Sequence, residues 1–453
     1  MNLPNYFLAD LPAGATLGGP MIADACQTLK RNRTQFLAHR TTQGMVEVLS
    51  HLAKDWLQPD NPFRLLALEQ GPSATGFSRQ TLVSGLDTFF KQFSPGKLQA
   101  LLEQELGQSR SLDEFAPASA PETRRRSVRA RSPELLVHIA AGNLPNPVLM
   151  SLILGLLARS AQFVKCASGA SFLPRLFAHS LYEVEPKLGA CFELAEWPGG
   201  KSELEKVLFE EADYVTATGS DEALASIRQR IPPKTRFLAY GHRVSFGYVA
   251  AKALESGALR TVVKQAAADI VAWNQLGCLS PHVIYVQAGM VLPDKFAEAL
   301  AEALADCEST EPRGELKPET AAAITSRRAI YEMRAAQGPE TQIWGSKNST
   351  AWTVVYESEP RFQSSCLNRF IYVKGVEDLR RALQAAESVR GQVATVGLAA
   401  PGNLVEELVN ELAQWGVERV CPLGQMQNPP LTWHHDGRPP LGDLIRWTDW
   451  EWE

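Results

Sequence analysis

Cys278 has the surroundings of a nucleophile. In the run Asp269-Ile-Val-Ala-Trp-Asn-Gln-Leu-Gly-Cys278-Leu-Ser280-Pro281 it follows a stretch of helical spacing, Thr261 to Asn274, and precedes an alternating strand, His282 to Val286. A thiol on a Gly-containing turn between helix and strand can be held out by the backbone. Neighbouring N–H groups can then stabilise the thiolate or the oxyanion its attack creates. The bland alternative is a buried structural cysteine, and the flanking residues favour the nucleophile.

Three further loops carry residues suited to the same chemistry, each with an ordinary reading beside it. Gly142-Asn143-Leu-Pro145 presents an amide between a glycine and a proline, which suits an oxyanion donor or equally a turn or helix-capping Asn. Lys165-Cys-Ala-Ser168 ends an apolar strand, where the ammonium can reach a ribose hydroxyl or a phosphate, or can snorkel to the surface. Thr218-Gly219-Ser220 opens a helix, where N–H groups and the helix dipole favour phosphate. It serves as well as a capping motif, with Ser220 or Asp221 as N-cap.

The elements expected to position these loops change character along the chain. Residues 1 to about 120 show helical spacing over Thr34–Trp56, Ser78–Phe93 and Lys97–Gly107. A Pro/Ala/Ser-rich linker is expected over residues 115–124. From Leu135 strands and helices alternate, with strands at Leu135–Ala140, Ala161–Cys166, Cys191–Ala195, Tyr214–Ala217 and Arg236–Tyr240. That alternation predicts an α/β fold with a mostly parallel sheet covered on both faces, a dinucleotide-binding architecture, although no GxGxxG follows any strand. In the second half helices are expected at Val244–Leu254, Pro293–Ala305 and Pro318–Ala336, and strands at Ala351–Tyr356, Arg369–Val373 and Gln392–Leu398. Half of the ten tryptophans lie beyond residue 410, which suggests a packed return or subunit-contact segment. The expected division is a mainly helical region (1–120), a dinucleotide-binding domain (130–240), a nucleophile-bearing domain (241–420) and a C-terminal oligomerisation segment (421–453).

Composition narrows the function classes. The 453 residues allow two or three domains. A net charge of −5 gives no global basic field for nucleic acid. The one basic cluster, Arg124-Arg125-Arg126 through Arg129 and Arg131, is expected in a solvated linker rather than on phosphates. Seven cysteines at irregular spacing form neither a disulfide framework nor a metal site, which fits reduced thiols in a cytoplasmic enzyme. The start Met1-Asn-Leu-Pro-Asn lacks a signal-peptide pattern, and the longest apolar stretch, Pro147–Ala158, is too short for a membrane span.

The order of the four loops resembles the aldehyde dehydrogenase superfamily over roughly residues 130 to 400. Within it, Tyr240-Gly241-His242-Arg243-Val-Ser245-Phe-Gly247, the Asp269 to Pro281 run, Pro422-Leu-Gly424-x-Met426 and Trp433-x-His435-Asp436-Gly437 resemble the LuxC-type acyl-CoA reductases over most of the chain. The resemblance implies two Rossmann-like open parallel-sheet domains with a small oligomerisation element, and a homo-oligomer. It also implies an NADPH-dependent reduction of acyl-CoA, with acyl-transferase or synthetase proteins as partners. Cys278 would attack the thioester and expel coenzyme A, with Asn143 and the Cys278 N–H holding the oxyanion. Lys165 and Ser168 would meet the adenosine ribose, and Gly219 and Ser220 the pyrophosphate.

Departures from the superfamily refine that expectation. Ala239 stands where hydrolytic members carry a general-base Glu, so water is poorly activated and reduction or transfer is favoured. His242 is a candidate substitute base or cofactor contact. Ser168 stands where NAD-selective members carry a Glu, which tilts the expectation toward NADPH. The superfamily's Glu-x-Phe-Gly-Pro ribose clamp is not evident near residues 362–367. Two rival readings keep the same cysteine: an acyltransferase or acyl-carrier-protein reductase, and a scaffolding subunit of a fatty acid reductase complex.

Overall fold

A computed structural model describes residues 3–12, 14–117, 125–255 and 257–452. Most of the expected linker, residues 118–124, therefore lies outside the described residues, as does Arg124. Contacts divide the chain into two units: Met1–Thr75, Leu86–Gly241 and Pro430–Glu453 in the first, Gly76–Gly85 and His242–Pro429 in the second.

The first unit holds strands β1 (Ala116–Pro117), β2 (Arg125–Arg131), β3 (Leu135–Ile139), β4 (Ala161–Cys166), β5 (Phe192–Glu196), β6 (Tyr214–Thr218) and β7 (Arg236–Tyr240). Its main sheet is fully parallel with the order β5-β4-β3-β6-β7. Counted from the first strand of the sheet, that is 3-2-1-4-5, the dinucleotide-binding winding, whose direction reverses between β3 and β6. β4 is buried at every residue, as a strand covered by helices on both faces must be. One of those helices, Asn146–Leu157, is the long apolar stretch of the sequence, and most of its residues are buried. No described helix is long and apolar enough to cross a membrane.

The second unit carries β8 (Val244–Val249), β9 (Pro281–Gln287), β10 (Thr341–Gly345), β11 (Thr353–Glu357), β12 (Phe370–Val376), β13 (Val393–Ala399) and β14 (Val420–Pro422). They form a seven-stranded sheet in the order β10-β11-β12-β9-β8-β13-β14, parallel except for β10. Two apolar clusters fill its faces, one around Val249, Ile284 and Ile371, the other around Phe246, Tyr285 and Tyr372.

Three expectations are corrected. Val244–Leu254 is not a helix but strand β8 followed by a short 3-10 turn, Ala251–Leu254. All of β8 is buried between β9 and β13, and the alternation Val-Ser-Phe-Gly-Tyr-Val is the strand period in its sequence. Thr34–Trp56 is not one helix: a π-helical turn, Arg33–Leu37, ends the helix Gly19–Asn32, and a new helix starts at Thr42. Thr41 caps that start, its hydroxyl accepting from the Gly44 N–H at 3.1 Å. Arg126, Arg129 and Arg131 are not linker residues. They belong to β2, which pairs antiparallel along its length with β15 (Arg446–Trp452), the return of the tryptophan-rich tail.

Candidate active site

The turn that carries Cys278 is built from strain and locks. After the helix Leu259–Val271, Trp273, Asn274 and Gln275 all take positive φ, at 50°, 53° and 64°. For residues with a Cβ this costs roughly 1–2 kcal/mol each, so each side chain must be held. Trp273 packs edge-on against Phe77 at 5.1 Å and lies over Gly85, where a Cβ would fall 2.1 Å from the indole. The Asn274 side-chain oxygen accepts from Arg369 at 3.0 Å, and the Gln275 amide donates to the carbonyls of Pro281 and Phe370 at 2.8 and 2.9 Å. Arg369 is itself 1% exposed and also donates to the Glu311 carbonyl at 2.8 Å.

The run ends in a tight turn in which the Ser280 N–H donates to the Gly277 carbonyl, while the Ser245 hydroxyl donates to the Cys278 carbonyl at 2.8 Å. Gly277, Leu279 and Ser280 are buried and Cys278 is exposed. The other six cysteines are buried or half-buried. Burial pushes the thiols of Cys26, Cys166 and Cys191 up to about 12, far from thiolate chemistry at neutral pH.

A second segment braces this turn from behind. Asp269, 2% exposed, accepts from the backbone N–H groups of Gly424 at 2.5 Å and Met426 at 2.9 Å. Arg419 holds the same loop from its own side through the carbonyls of Gln425 and Met426, each at 2.8 Å. Gln427 then donates to the Ser280 hydroxyl and occupies the space beside Gly277, where a Cβ would meet its amide at 2.8 Å. Two of the composite motifs are thus one object. Burial pushes Asp269 up to about 7, against the opposing pull of the Gly424, Met426 and Gln427 N–H groups and of Arg419.

His242 is exposed at the entry to β8 and lies close enough to His282 to add to the burial that drives that imidazole down to about 4. His282 accepts from the Ser365 N–H at 3.0 Å, so it is a neutral, structural histidine.

In the first unit the expected coenzyme loops gather at the carboxyl ends of the strands, around the reversal between β3 and β6. Asn143 is exposed in the loop after β3, and a Cβ on Gly142 would meet Ala167 at 3.1 Å, so this loop packs on the one that carries Ser168. Lys165 is 5% exposed, its ammonium makes no hydrogen bond to any described residue, and burial lowers its pKa. An ammonium at a strand end that no protein group holds fits a ligand hydroxyl or phosphate.

Ser220 is the N-cap of the helix Asp221–Arg228, accepting from the Ala223 N–H at 3.3 Å. The Gly219 N–H is committed to the Tyr240 carbonyl, and Asp221 and Glu222 fill the first turn with negative charge. These features oppose a pyrophosphate at that helix.

Sequence reasoning missed several residues here. Glu196, at the end of β5, accepts from the Gly169 N–H at 2.7 Å and so brings a carboxylate to the Ser168 loop from the neighbouring strand. Asp269, Arg369 and Gln427 act across long sequence separations that no local signal marks. Tyr240 and the late motif also meet: His435 stacks on Tyr240 at 4.8 Å and on Trp433 at 5.0 Å, and Arg438 lies over the Tyr240 ring and donates to the Ala239 carbonyl at 2.9 Å.

The fold is that of the aldehyde dehydrogenases. A solved structure of the P. syringae indole-3-acetaldehyde dehydrogenase AldA, in complex with NAD+ and IAA, has a TM-score of 0.75 to this chain at 13% identity. It covers 97% of this chain and 90% of its own. A bifunctional proline utilization A (PutA) structure has a TM-score of 0.74 at 16% identity, and this chain spans 45% of that protein. Within that class the chain belongs to the acyl-CoA reductase (LuxC) family, whose model matches residues 37–447. It is similar to the long-chain acyl-protein thioester reductase of Aliivibrio fischeri, with 26% identity over 367 residues, 79% of this chain and 71% of the relative. The reductase of the same name from Vibrio harveyi is 24% identical over 367 residues, 79% of this chain and 72% of its own.

Proposed function

We propose that the protein reduces an acyl thioester to the aldehyde through an acyl-Cys278 intermediate, with NADPH as hydride donor. The observation that carries this reading is the exposure of Cys278 alone in a turn of buried residues, in a chain of a reductase family. The Cys278 thiolate attacks the thioester carbonyl, the oxyanion is met by the Cys278 N–H, and its collapse expels the donor thiol. A nicotinamide coenzyme held by Lys165 and Ser168 would supply the hydride that reduces the acyl carbon. Collapse of the second tetrahedral species releases the aldehyde and returns the Cys278 thiolate. Ala239 offers no carboxylate to activate water, which leaves the acyl-enzyme for the hydride.

Lys165 and Ser168 hold the adenosine ribose in this reading. The ammonium of Lys165, held by no described residue, supports it; Ser168 in place of a Glu favours NADPH, and Glu196 is the opposing carboxylate, whose removal should raise that preference. His242, on the nucleophile's own unit, is the base candidate. The donor is acyl-CoA or an acylated protein. The second is favoured by the names of the relatives in Aliivibrio fischeri and Vibrio harveyi.

Purified protein, NADPH or NADH, and a panel of acyl-CoAs test this by the loss of nucleotide absorbance, with Cys278→Ala as control. Oxidation that needs both the thioester and Cys278 is expected. Undiminished turnover by Cys278→Ala would remove the nucleophile assignment. Labelling of Cys278 without any nucleotide oxidation would replace the reductase by an acyltransferase.

A further inference from the structure

The basic cluster of the sequence is not absorbed by the reductase reading, and the fold gives it a place. Arg129 and Arg131 of β2 line a pocket of about 350 Å³ together with Arg33 and Arg159. All four belong to the first unit. The pocket opens beside Glu134 and Arg159, which precede β3 and β4. It thus lies at the amino ends of the strands whose carboxyl ends carry the coenzyme loops.

Arg159 is the floor of this site. It is 3% exposed, holds positive φ at 58°, and its terminal nitrogens are spent on the Leu112 carbonyl, the Thr42 hydroxyl and the Asp113 carboxylate. Its Nε is buried without a partner. Arg33, which opens the π-helical turn, donates its own Nε to the Arg159 carbonyl at 2.8 Å. Burial lowers the pKa of both guanidiniums, and the charges of Arg129 and Arg33 add to the strain on Arg159. Arg129 and Arg131 are exposed at the rim and make no ion pair with any described residue.

Against these four cations stand Glu134 in the lining and Asp113 on Arg159, while Asp213 is occupied by the backbone N–H groups of Glu134 and Leu135. An excess of positive charge remains. Packing several guanidiniums together with an unsatisfied buried donor is costly unless an anion completes the set. The forked donors of arginine match a phosphate group, and Leu112 and Phe115 add an apolar wall.

We propose that this pocket binds a small phosphate-bearing ligand, a site separate from the nucleotide loops. Isothermal titration of the full chain with inorganic phosphate and with phenyl phosphate tests it at fixed ionic strength. The variants are Arg129→Gln/Arg131→Gln, whose side chains are exposed, and Glu134→Gln. Saturable binding is expected, weakened about tenfold or more in the double arginine variant, which removes two charge-assisted contacts. Glu134→Gln should tighten it. Tighter binding of phenyl phosphate than of phosphate would make the ligand an ester that uses the apolar wall. Equal affinity would make it the free anion. No saturable heat, or an affinity that neither variant changes, would overturn the site.

Discussion

Replacing Asp269 by Asn should flatten the dependence of stability on pH between about pH 4 and pH 8. In the unfolded chain this carboxyl titrates near 3.9, whereas burial pushes it up to about 7 in the folded protein. Between those values the folded state keeps a proton that the unfolded state has lost. The stability this site contributes is therefore complete below about pH 4 and lost as pH rises through about 7. Three units at 1.36 kcal/mol each make about 4 kcal/mol over the whole window, of which about 2–3 kcal/mol falls between pH 5 and pH 8. Asn cannot titrate, so the difference between wild type and Asp269→Asn isolates this one group from every other that ionises. Denaturant unfolding of both proteins at pH 5, 6, 7 and 8 measures it. The wild type should lose that amount relative to the variant as the pH rises. Parallel curves would show that the carboxyl ionises in the folded protein as it does in the unfolded chain, and that its N–H partners and Arg419 outweigh burial.

Gly85→Ala places a methyl into the Trp273 indole. Overpacking of that kind costs about 1–3 kcal/mol, read as a lower denaturation midpoint together with slower acylation of Cys278; an unchanged midpoint would mean that the helix or the indole moves aside freely. Glu196→Gln removes the carboxylate beside Ser168 and should raise the ratio of kcat/KM for NADPH over NADH by about tenfold, roughly 1.4 kcal/mol. If the ratio stays put, the ribose geometry proposed for that loop is wrong. Lys165→Met should raise the KM for the coenzyme by about tenfold with a smaller change in kcat, the signature of a lost ground-state contact, whereas an equal fall in both coenzyme affinity and thermal midpoint would assign Lys165 to the fold alone.

The sequence by itself determined the parts whose signals are local. β4 and β7 stand at the residues their apolar runs and turn chemistry marked. So does the turn that exposes Cys278, because Gly277 and the residues around it encode a bend within a few positions. The order of motifs also carried the family and the fold class. β8 escaped because the helix-favouring residues that follow it, Ala251–Leu254, extend its Val-Ser-Phe-Gly-Tyr-Val alternation to a run of helical length. Only the tertiary structure decided which distant residues hold the turn in place. Asp269 and Gly424 meet across 155 positions, and Arg369 and Asn274 across 95. The carboxylate of Glu196 reaches the Ser168 loop because β5 pairs with β4. Arg33, Arg129, Arg131 and Arg159 share one pocket because a return strand and a helix end converge on it. Such contacts are set by how elements pack and pair, and that packing leaves no period or spacing in the neighbourhood of either partner.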